Sequence, residues 1–383
     1  MKSRSMLLGL TAAAAFFGPP SFADSPPADD ARPDRSREFA TPPPDEAQAK
    51  ATLLRDILTE MRHSQDDGGD GAVARNQHAK HHGAVRATFA VADGLPEGLR
   101  VGIFREPRSY DAVLRFSNGR ARVDNVPDAH GLAIKILGVE GKPLLDDPAD
   151  AGTQDFVLID HPVFFATDPT NLVRVEAARK ALERGEQVDI TPIREQIAIA
   201  RAFPKLGTPS PLEMTYFSTV PSRLGARAVK YRASPSPDNA SGLPPLTKAS
   251  SVDALREAMV ARLSTNREPA RFDFQLLLQQ DEQAMPIEDP TVEWTTTPIT
   301  VATITINPQA FTGAEQLEFA ENLSYTPWHG IEEHRPIGGI NRVRKDIYQA
   351  GSAFRHDANG APRKEPTVAD LDRLYQCEAA EGR

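Results

Sequence analysis

Two kinds of hydrophobic spacing divide the chain. From residue 87 onward, apolar and polar positions often alternate with the period of two that is typical of half-buried strands. This pattern predicts strands at 88–91, 100–104, 112–117, 132–137, 213–220, 228–233, 272–279 and 299–306. Apolar residues recur with helical spacing at 46–63, 171–184 and 190–203. Strands on both sides of a helical insertion, without strand–helix alternation, predict an antiparallel barrel or sheet with helices outside it.

The first 45 residues predict two segments that precede the folded domain. Lys2 and Arg4 come before a short apolar run at 6–17, and small residues at 21–23 suit cleavage after Ala23. This pattern indicates a secretory signal peptide at 1–23, and the apolar run is short for a membrane span. No twin arginine is present, so we expect export through the general secretory route to the periplasm or the cell exterior. Residues 24–45 are rich in proline and aspartate and predict a disordered leader, followed by a single domain at 46–383.

Composition narrows the class of protein. The chain has 383 residues, of which 40% are hydrophobic and 25% charged, and this is ordinary for a soluble globular protein. Its formal charge of -9, with no basic stripe or nucleic-acid-binding motif, argues against a nucleic acid partner. The single cysteine, Cys377, excludes an intrachain disulfide framework. After the signal peptide no stretch is long enough to cross a bilayer, and the sequence is compatible with a homo-oligomer.

Tyr348 carries the most specific chemistry near the C-terminal end. Arg344 precedes it by four residues and Arg355 follows it by seven, so the three side chains share one face of a predicted helix. A cation held against a phenol favours the phenolate, and a phenolate is a good ligand for ferric iron.

Four upstream motifs complete a known pattern with this helix. They lie at 75–85, 114–119, 128–135 and 155–165, and contain His78, Arg115 and Asp160 among others. Their order and spacing resemble the haem-containing catalase family, above all its small, catalase-related peroxidase branch, from about residue 75 to 355. The resemblance implies an α+β fold, an eight-stranded antiparallel β-barrel with peripheral helices. It also implies haem b, which would be held non-covalently because no CxxCH attachment motif is present.

The resemblance assigns a role to each matching residue. His78 corresponds to the distal histidine that moves a proton between the peroxide oxygens, and Ser117 to the serine that orients it. Tyr348 corresponds to the axial ligand of the haem iron, and Arg344 to the arginine that stabilises its phenolate. The remaining cofactor-binding residues are three arginines that pair with the haem propionates and two distal aromatics that keep the pocket apolar: Arg75, Arg115, Arg355, Phe164 and Phe165.

Several positions depart from the family pattern. Asp160 replaces an asparagine that donates a hydrogen bond to peroxide, and an ionised aspartate can only accept. We therefore expect it to affect catalysis, either as a repelling charge or as a protonated donor. Gln77 is polar where the large enzymes have an apolar residue, and His130 replaces an arginine. His81 and His82 could offer imidazoles to zinc, but without a third ligand at suitable spacing we interpret them as structural.

These features predict a haem peroxidase that reduces hydrogen peroxide or organic hydroperoxides. The resemblance implies a ferric tyrosinate haem, a high-valent iron-oxo intermediate, and electrons from a small-molecule donor. Two alternatives remain open. Gln77 and Asp160 are compatible with an enzyme that rearranges or cleaves fatty-acid hydroperoxides, and the predicted export is compatible with a non-enzymatic haem-binding protein.

Overall fold

The strands account for most of the predicted period-two segments. The computed structural model describes residues 35–67, 72–146 and 152–375. The strands there are β1 (His81–Val91), β2 (Ser109–Asn118), β3 (His130–Leu137), β4 (Thr153–Ile159), β5 (Tyr216–Phe217), β6 (Ser222–Leu224), β7 (Arg227–Pro235), β8 (Ala270–Leu278) and β9 (Ile299–Ile306).

Antiparallel pairing closes eight of these strands into a barrel. The sheet order is β5-β4-β3-β2-β1-β9-β8-β7-β6, and β5 also pairs with β7 through Tyr216 opposite Ala233. This additional pairing completes the ring, while β6 extends the edge of β7 as a hairpin. The predicted eight-stranded antiparallel barrel is therefore confirmed, because closure leaves each strand of the ring with two neighbours.

The barrel interior is filled with side chains. Alternate residues of β2 and β3, including Leu114, Phe116, Leu132 and Ile134, are fully buried and belong to one hydrophobic core. Because side chains of a strand alternate between faces, Arg115, Ser117, Gly131 and Ala133 lie on the outer face of the same strands. A filled interior leaves that outer face as the place where a large ligand can bind.

Seven helices of the described residues surround the barrel. They are α1 (Glu46–Asp67), α2 (Pro169–Glu183), α3 (Arg194–Ala202), α4 (Ala254–Val260), α5 (Ala314–Asn322), α6 (Gly339–Asn359) and α7 (Val368–Leu374). Helix α6 contains the predicted Arg344, Tyr348 and Arg355 face, and it ends at Gly360 in the left-handed conformation that favours glycine. It packs against α1, where the Arg62 guanidinium lies 5.3 Å from the centre of the Phe354 ring.

Buried ion pairs fix the beginning of α6. The Glu288 carboxylate, 2% exposed, accepts a hydrogen bond from the Gly339 amide at 2.7 Å. Arg342 donates to Glu288 at 2.7 Å and to Glu46 of α1 at 2.8 Å. A carboxylate at a helix N-terminus satisfies free amides and interacts favourably with the helix dipole. These contacts set the position of α6, and therefore of Tyr348, relative to the rest of the fold.

Some sequence predictions of local structure were wrong. The predicted strand at 100–104 is a pair of 3₁₀ turns, Glu97–Leu99 and Gly102–Phe104. Gly102 has a φ of +57°, which lies outside the strand region. The next amide, that of Ile103, donates to His334 Nε2 at 3.0 Å, so the chain here packs against His334. The predicted strand at 213–220 shortens to β5, while β4, β6, α4, α5 and α7 had no prediction.

The segment before α1 is packed against the domain as far back as the structure describes it. Arg35 pairs with Asp168 at 2.7 Å, Ser36 is 3% exposed, and the Phe39 amide donates to Glu288 at 2.9 Å. The prediction of a disordered leader does not hold for residues 35–45, because these contacts tie them to the compact unit that begins at Arg35. Residues 1–34, with the predicted signal peptide, lie outside the described residues. No described helix is long and apolar enough to cross a membrane.

Candidate functional site

His78 lies just before β1 in a backbone conformation that is uncommon for residues other than glycine. Its φ is +58°, and its amide donates to Gly119 O at 2.7 Å. The Nδ1 atom lies 2.9 Å from Asn118 O and 3.1 Å from Ser117 Oγ. A carbonyl oxygen can only accept, so Nδ1 carries the proton and Nε2 keeps its lone pair. The two neighbours thus hold a neutral imidazole with Nε2 available as a base.

The outer barrel wall provides a space into which the imidazole fits. Ser117, Gly131 and Ile159 are cross-strand neighbours on β2, β3 and β4. A Cβ atom on Gly131 would lie 2.5 Å from His78 Nδ1, so the close approach requires glycine at this position. Burial, together with the nearby Arg115 guanidinium, lowers the pKa of His78 to about 4. The imidazole therefore stays neutral at physiological pH.

Asp160 is paired with His130. Asp160 Oδ1 accepts from the His130 amide at 2.8 Å, and Oδ2 accepts from His130 Nδ1 at 2.9 Å. The Asp160 amide in turn donates to His130 O at 3.0 Å. Two positions that depart from the family pattern thus contact each other, which gives His130 a role that the sequence did not suggest. Gln77 Nε2 donates to Asn76 Oδ1 at 3.4 Å.

The three arginines predicted to bind propionates meet at the end of α5. Arg115 Nε donates to Ala320 O at 3.1 Å, and Arg355 Nη1 donates to Glu321 O at 2.8 Å. Arg75 donates to Leu323 O and, at 2.9 Å, to the Glu321 carboxylate. The sequence separates these arginines by up to 280 residues, and the free carbonyls at the helix end bring them together.

The arginine cluster, Arg75, Arg115 and Arg355, has three positive charges, and the carboxylate that all three approach is that of Glu321. Arg115 and Arg355 are 3% and 2% exposed, and Glu321 is the carboxylate they share with Arg75. Arg115 Nη2 is buried without a hydrogen-bond partner. Burial lowers the pKa of Arg75, holds that of Arg115 well below its usual range, and lowers that of Arg355 to about 9. A buried, unpaired donor beside excess positive charge fits an anionic ligand.

On α6, Arg344 and Tyr348 are in direct contact. Arg344 Nη2 donates to the Tyr348 hydroxyl at 3.0 Å, and its guanidinium lies 5.1 Å from the centre of the phenol ring. Asn341 Oδ1 accepts from Arg344 Nη1 at 3.2 Å and fixes the guanidinium from its other side. The phenol oxygen is therefore held by a cation, as the helical spacing predicted.

One pocket connects α6 to the outer barrel wall. It is lined by Val157 of β4, by Ser218 and Ser222, and by Asn341 and Arg344 of α6, among others. Val157 is the cross-strand neighbour of Ala133, and Ala133 is the neighbour of Arg115. Along this wall Ala133, Val157 and Ile159 are partly accessible, whereas the core side of the same strands is closed. The wall therefore offers a short apolar strip between His78, the arginine cluster and α6.

Phe164 and Phe165 stack on each other with ring centres 4.6 Å apart. Phe165 also meets Phe203 edge to face at 5.7 Å and packs against the small hydrophobic cluster of α2 and α3. The pair thus links the loop after β4 to the helical insertion, and at least Phe165 has a packing role there.

His81 and His82 have separate environments. His82 Nε2 lies 3.0 Å from Asn118 Oδ1, while His81 Nε2 lies 3.7 Å from Glu321. Burial lowers the pKa of His81 to about 2 and holds that of His82 well below its usual range. Neither belongs to the group in the described residues that could hold a metal, Asp155, His329 and Glu365.

The Lys135 ammonium lies between the members of that group. Its Nζ donates to both Asp155 oxygens at 2.7 and 2.8 Å, contacts Glu365, and lies 3.1 Å from His329 Nδ1. Although burial opposes it, the Asp155 and Glu365 carboxylates raise the pKa of Lys135. A fixed ammonium thus supplies the cation that these carboxylates need.

Sequence reasoning missed three residues that shape the site: Gly131, Asn118 and Glu321. Asn118 and Gly131 stand inside motifs that it had identified, beside Ser117 and His130. Glu321 lies on α5, which had no prediction. Its only sequence signal is an acidic residue at the end of a short helix, where a negative charge is ordinarily unfavourable.

Comparison with known proteins agrees with the barrel and the position of its helices. No protein-family model matches the chain, and no curated protein matches its sequence. Catalase A from Saccharomyces cerevisiae matches with a TM-score of 0.56 and 17% identity over 77% of this chain and 65% of that one. A fungal catalase matches with 0.55 and 15% identity, over 83% of this chain and 70% of that one. A bacterial catalase matches with 0.51 and 15% identity, over 82% and 64%.

The chain has a catalase-like fold. It spans about 65% of the length of catalase A, and identities this low establish the architecture alone. In this catalase-like fold the candidate site lies outside the barrel wall, between β2–β4 and α6. The arrangement offers a neutral base at His78, an anion site at the arginine cluster, and a cation-held phenol at Tyr348.

Proposed function

We propose that the chain is a haem-dependent oxidoreductase that reduces hydrogen peroxide or organic hydroperoxides with electrons from a small-molecule donor. The observation that carries this proposal is the arginine cluster beside the His78 base. Two nearly fully buried guanidiniums, one with an unpartnered Nη2, call for more negative charge than the Glu321 carboxylate that they share supplies. Haem is a flat apolar ring with two carboxylates on one edge, and it suits the apolar strip and the arginines together.

The chain offers a partner for each part of this cofactor. Arg75, Arg115 and Arg355 would bind the carboxylates, and the strip of Ala133, Val157 and Ile159 would face the ring. The Tyr348 oxygen would bind the ferric iron as a phenolate, with Arg344 donating a hydrogen bond to the same oxygen. When bound, ferric haem supplies the electrons and the Lewis acid that peroxide cleavage requires.

His78 performs the proton chemistry in this proposal. Its Nε2 lone pair accepts the proton of a hydroperoxide and returns it to the departing oxygen, which leaves as water or an alcohol. Ser117 and Asn118 O hold the tautomer that this needs. Asp160, whose oxygens both accept from His130, acts in this proposal by positioning β3 and the loop after β4.

The predicted signal peptide adds a location to the proposal. Cleavage near Ala23 would place the mature protein in the periplasm or outside the cell. Export through the general secretory route would require the cofactor to bind after translocation, because that route carries unfolded chains.

Titration with ferric haem, followed by peroxide, tests the proposal. Wild type should give a stoichiometric high-spin tyrosinate spectrum that changes on addition of hydrogen peroxide and returns to the resting form with an electron donor. Tyr348→Phe should lose that spectrum, whereas Tyr110→Phe should keep it. The Tyr110 hydroxyl donates to Ile103 O at 3.3 Å, at the other end of β2 from Ser117.

Four results would contradict the proposal. If wild type does not bind haem specifically, haem is not the cofactor. If Tyr348→Phe gives an unchanged spectrum, Tyr348 is not the iron ligand. Binding without any reaction with peroxide would favour a haem-binding protein. With a fatty-acid hydroperoxide, rearranged products in the absence of a donor would favour the isomerising enzyme, whereas simple alcohol formation supports the peroxidase.

A further inference from the structure

Glu321 occupies an unusual position at the centre of the arginine cluster. Its Oε1 lies 2.9 Å from Arg75 Nη1 and 3.9 Å from Arg355 Nη1, and its Oε2 lies 3.9 Å from Arg115 Nη2. His81 Nε2 is 3.7 Å from Oε2. The Glu321 carboxylate thus faces three guanidiniums at once, although it stands at the end of a helix, where the dipole disfavours negative charge.

These contacts are uneven. Only the contact with Arg75 is short enough for a hydrogen bond, since 3.9 Å exceeds the donor–acceptor distance that a hydrogen bond allows. Arg115 Nη2, on a side chain that is 3% exposed, is therefore left as a buried donor without a partner. Glu321 partly neutralises the cluster but does not saturate it, so a second carboxylate can still bind there.

The arginines do not need the Glu321 side chain to stay in place. Each is anchored to a backbone carbonyl at the end of α5: Arg115 to Ala320 O, Arg355 to Glu321 O, and Arg75 to Leu323 O. The Glu321 side chain itself is 34% exposed and can rotate toward solvent. Its departure would leave the three guanidiniums preorganised for another anion.

We propose that Glu321 is a resident counterion that holds the place of a ligand carboxylate and sets how tightly the ligand binds. The inference rests on the proposed function, since the ligand it concerns is the carboxylate edge of a porphyrin. In the free protein Glu321 neutralises Arg75. On binding, a porphyrin carboxylate takes its place or shares the arginines with it, so the negative charge of Glu321 weakens binding. If the chain acquires its cofactor outside the cytoplasm, Glu321 would serve as a counterion for the arginine cluster until the cofactor binds.

The test compares charge-neutral variants on the same helix. Glu321→Gln removes the charge and keeps the shape, Glu321→Asp keeps the charge, and Glu318→Gln removes an exposed charge on α5 as the matched control. Each protein is titrated with ferric protoporphyrin IX, with absorption as the readout, and with the dimethyl ester of the same porphyrin, which has no ionisable carboxylates. The dissociation rate into an excess of a haem acceptor protein is measured in parallel.

We expect Glu321→Gln to bind the free-acid porphyrin about tenfold tighter than Glu318→Gln, the size of one charge-assisted contact. Its dissociation should slow, the ester should bind all variants alike, and Glu321→Asp should resemble wild type. Without porphyrin, Glu321→Gln should melt at a lower temperature than Glu318→Gln, because the buried arginines lose their counterion. Addition of the free-acid porphyrin should restore the melting temperature.

Two failures can be told apart. If wild type does not bind the free-acid porphyrin, the proposed function fails, and the role of Glu321 fails with it. If wild type binds but Glu321→Gln binds no tighter than Glu318→Gln, or gains equally with the ester, the counterion role alone is overturned. If Glu321→Gln does not fold, the result for Glu321→Asp decides, because this variant keeps the charge on a side chain shorter by one methylene. Unchanged porphyrin affinity and melting temperature in Glu321→Asp would support the counterion role. A large loss of affinity would contradict it.

Discussion

The imidazole of His78 lies directly against Gly131 on the outer face of the barrel. A Cβ atom on Gly131 would come within 2.5 Å of His78 Nδ1, 2.7 Å of its Cε1 and 3.0 Å of Ser117 Oγ. The backbone at Gly131 and the Asn118 carbonyl therefore determine where the imidazole can lie. The proton chemistry proposed for His78 depends on a residue that has no side chain.

Replacing Gly131 with alanine should displace the His78 base without removing it. The added methyl group would overlap the imidazole, which would lose its bonds to Ser117 Oγ and Asn118 O. We expect the reaction with hydrogen peroxide to slow about 100-fold, the usual contribution of a positioned acid–base group. Stopped-flow absorption of the haem-loaded variant measures this rate.

The control for Gly131→Ala is Gly313→Ala. There the nearest atom to a new Cβ is the flexible end of the Gln316 side chain, at 3.2 Å. A wild-type rate in Gly131→Ala, or an equal loss in both variants, would contradict the positioning of His78 by this glycine.

Replacing Arg344 with methionine should weaken the hold on ferric haem. The variant removes the cation 3.0 Å from the Tyr348 oxygen, and that cation would offset the negative charge of an iron-bound phenolate. We expect affinity at neutral pH to fall about tenfold, the effect of about 1.4 kcal/mol. Absorption titration measures the affinity.

Lys345→Met is the matched control for Arg344→Met, because it removes the neighbouring positive charge on α6. The Lys345 Nζ lies over the Trp328 ring and not beside Tyr348. Equal affinity in wild type and Arg344→Met would show that the contact with Tyr348 has no part in binding.

The barrel could be predicted from the sequence because its physical cause is local. Period-two alternation in β2, β3, β7, β8 and β9 reflects one buried and one outward face, and antiparallel closure follows from the lack of strand–helix alternation. The failures were also local in cause. At 100–104 alternation is present, but Gly102 at φ +57° packs against His334 and turns the chain. Strand β5 has only two residues, too few for a pattern.

The site could be predicted only in part, for a different reason. The contact of Arg344 with Tyr348 is a consequence of helical spacing, so the sequence contains it. The convergence of Arg75, Arg115 and Arg355 was available through the family resemblance, but the helix end that gathers them was not, because α5 and Glu321 carry no periodic signal. Similarly, the pairing of Asp160 with His130 joins the residue just after β4 to the start of β3, and nothing local in either segment predicts it.

Removing the buried carboxylate of Glu288 should destabilise the domain and displace α6. Glu288 accepts from the Gly339 amide and from Arg342, so Glu288→Leu leaves the N-terminus of α6 without this acceptor and leaves Arg342 with Glu46 as its remaining carboxylate. We expect the free energy of unfolding to fall by about 3–5 kcal/mol, as for other broken buried pairs. Chemical denaturation followed by circular dichroism measures it.

An exposed ion pair provides the comparison for Glu288. Glu282 pairs with Arg37 while 46% exposed, so Glu282→Leu should cost less than about 1 kcal/mol. Similar losses in the two variants would show that the contacts of Glu288 do not brace α6.

The low pKa of His78 predicts an unusual pH dependence for the reaction with peroxide. Burial and Arg115 lower this pKa from 6.5 to about 4, so the imidazole stays neutral and able to accept a proton down to about that pH. The rate constant should therefore be flat from neutral pH to about pH 5 and fall as pH drops through about 4. Stopped-flow measurements on the haem-loaded protein, restricted to pH values where circular dichroism shows an intact fold, test this.

Linkage gives an independent check on the same group. Because the folded-state pKa of His78 lies below its unfolded value of 6.5, the unfolded chain binds the proton more readily, and stability falls as pH drops from about 6.5 toward about 4. His81 and His334 contribute in the same direction, since burial lowers their pKa values to about 2 and about 3. His78→Gln should therefore reduce the slope of unfolding free energy against pH in this window, not abolish it. A half-maximal rate near pH 6.5, with an unchanged slope in His78→Gln, would contradict a buried neutral base at this position.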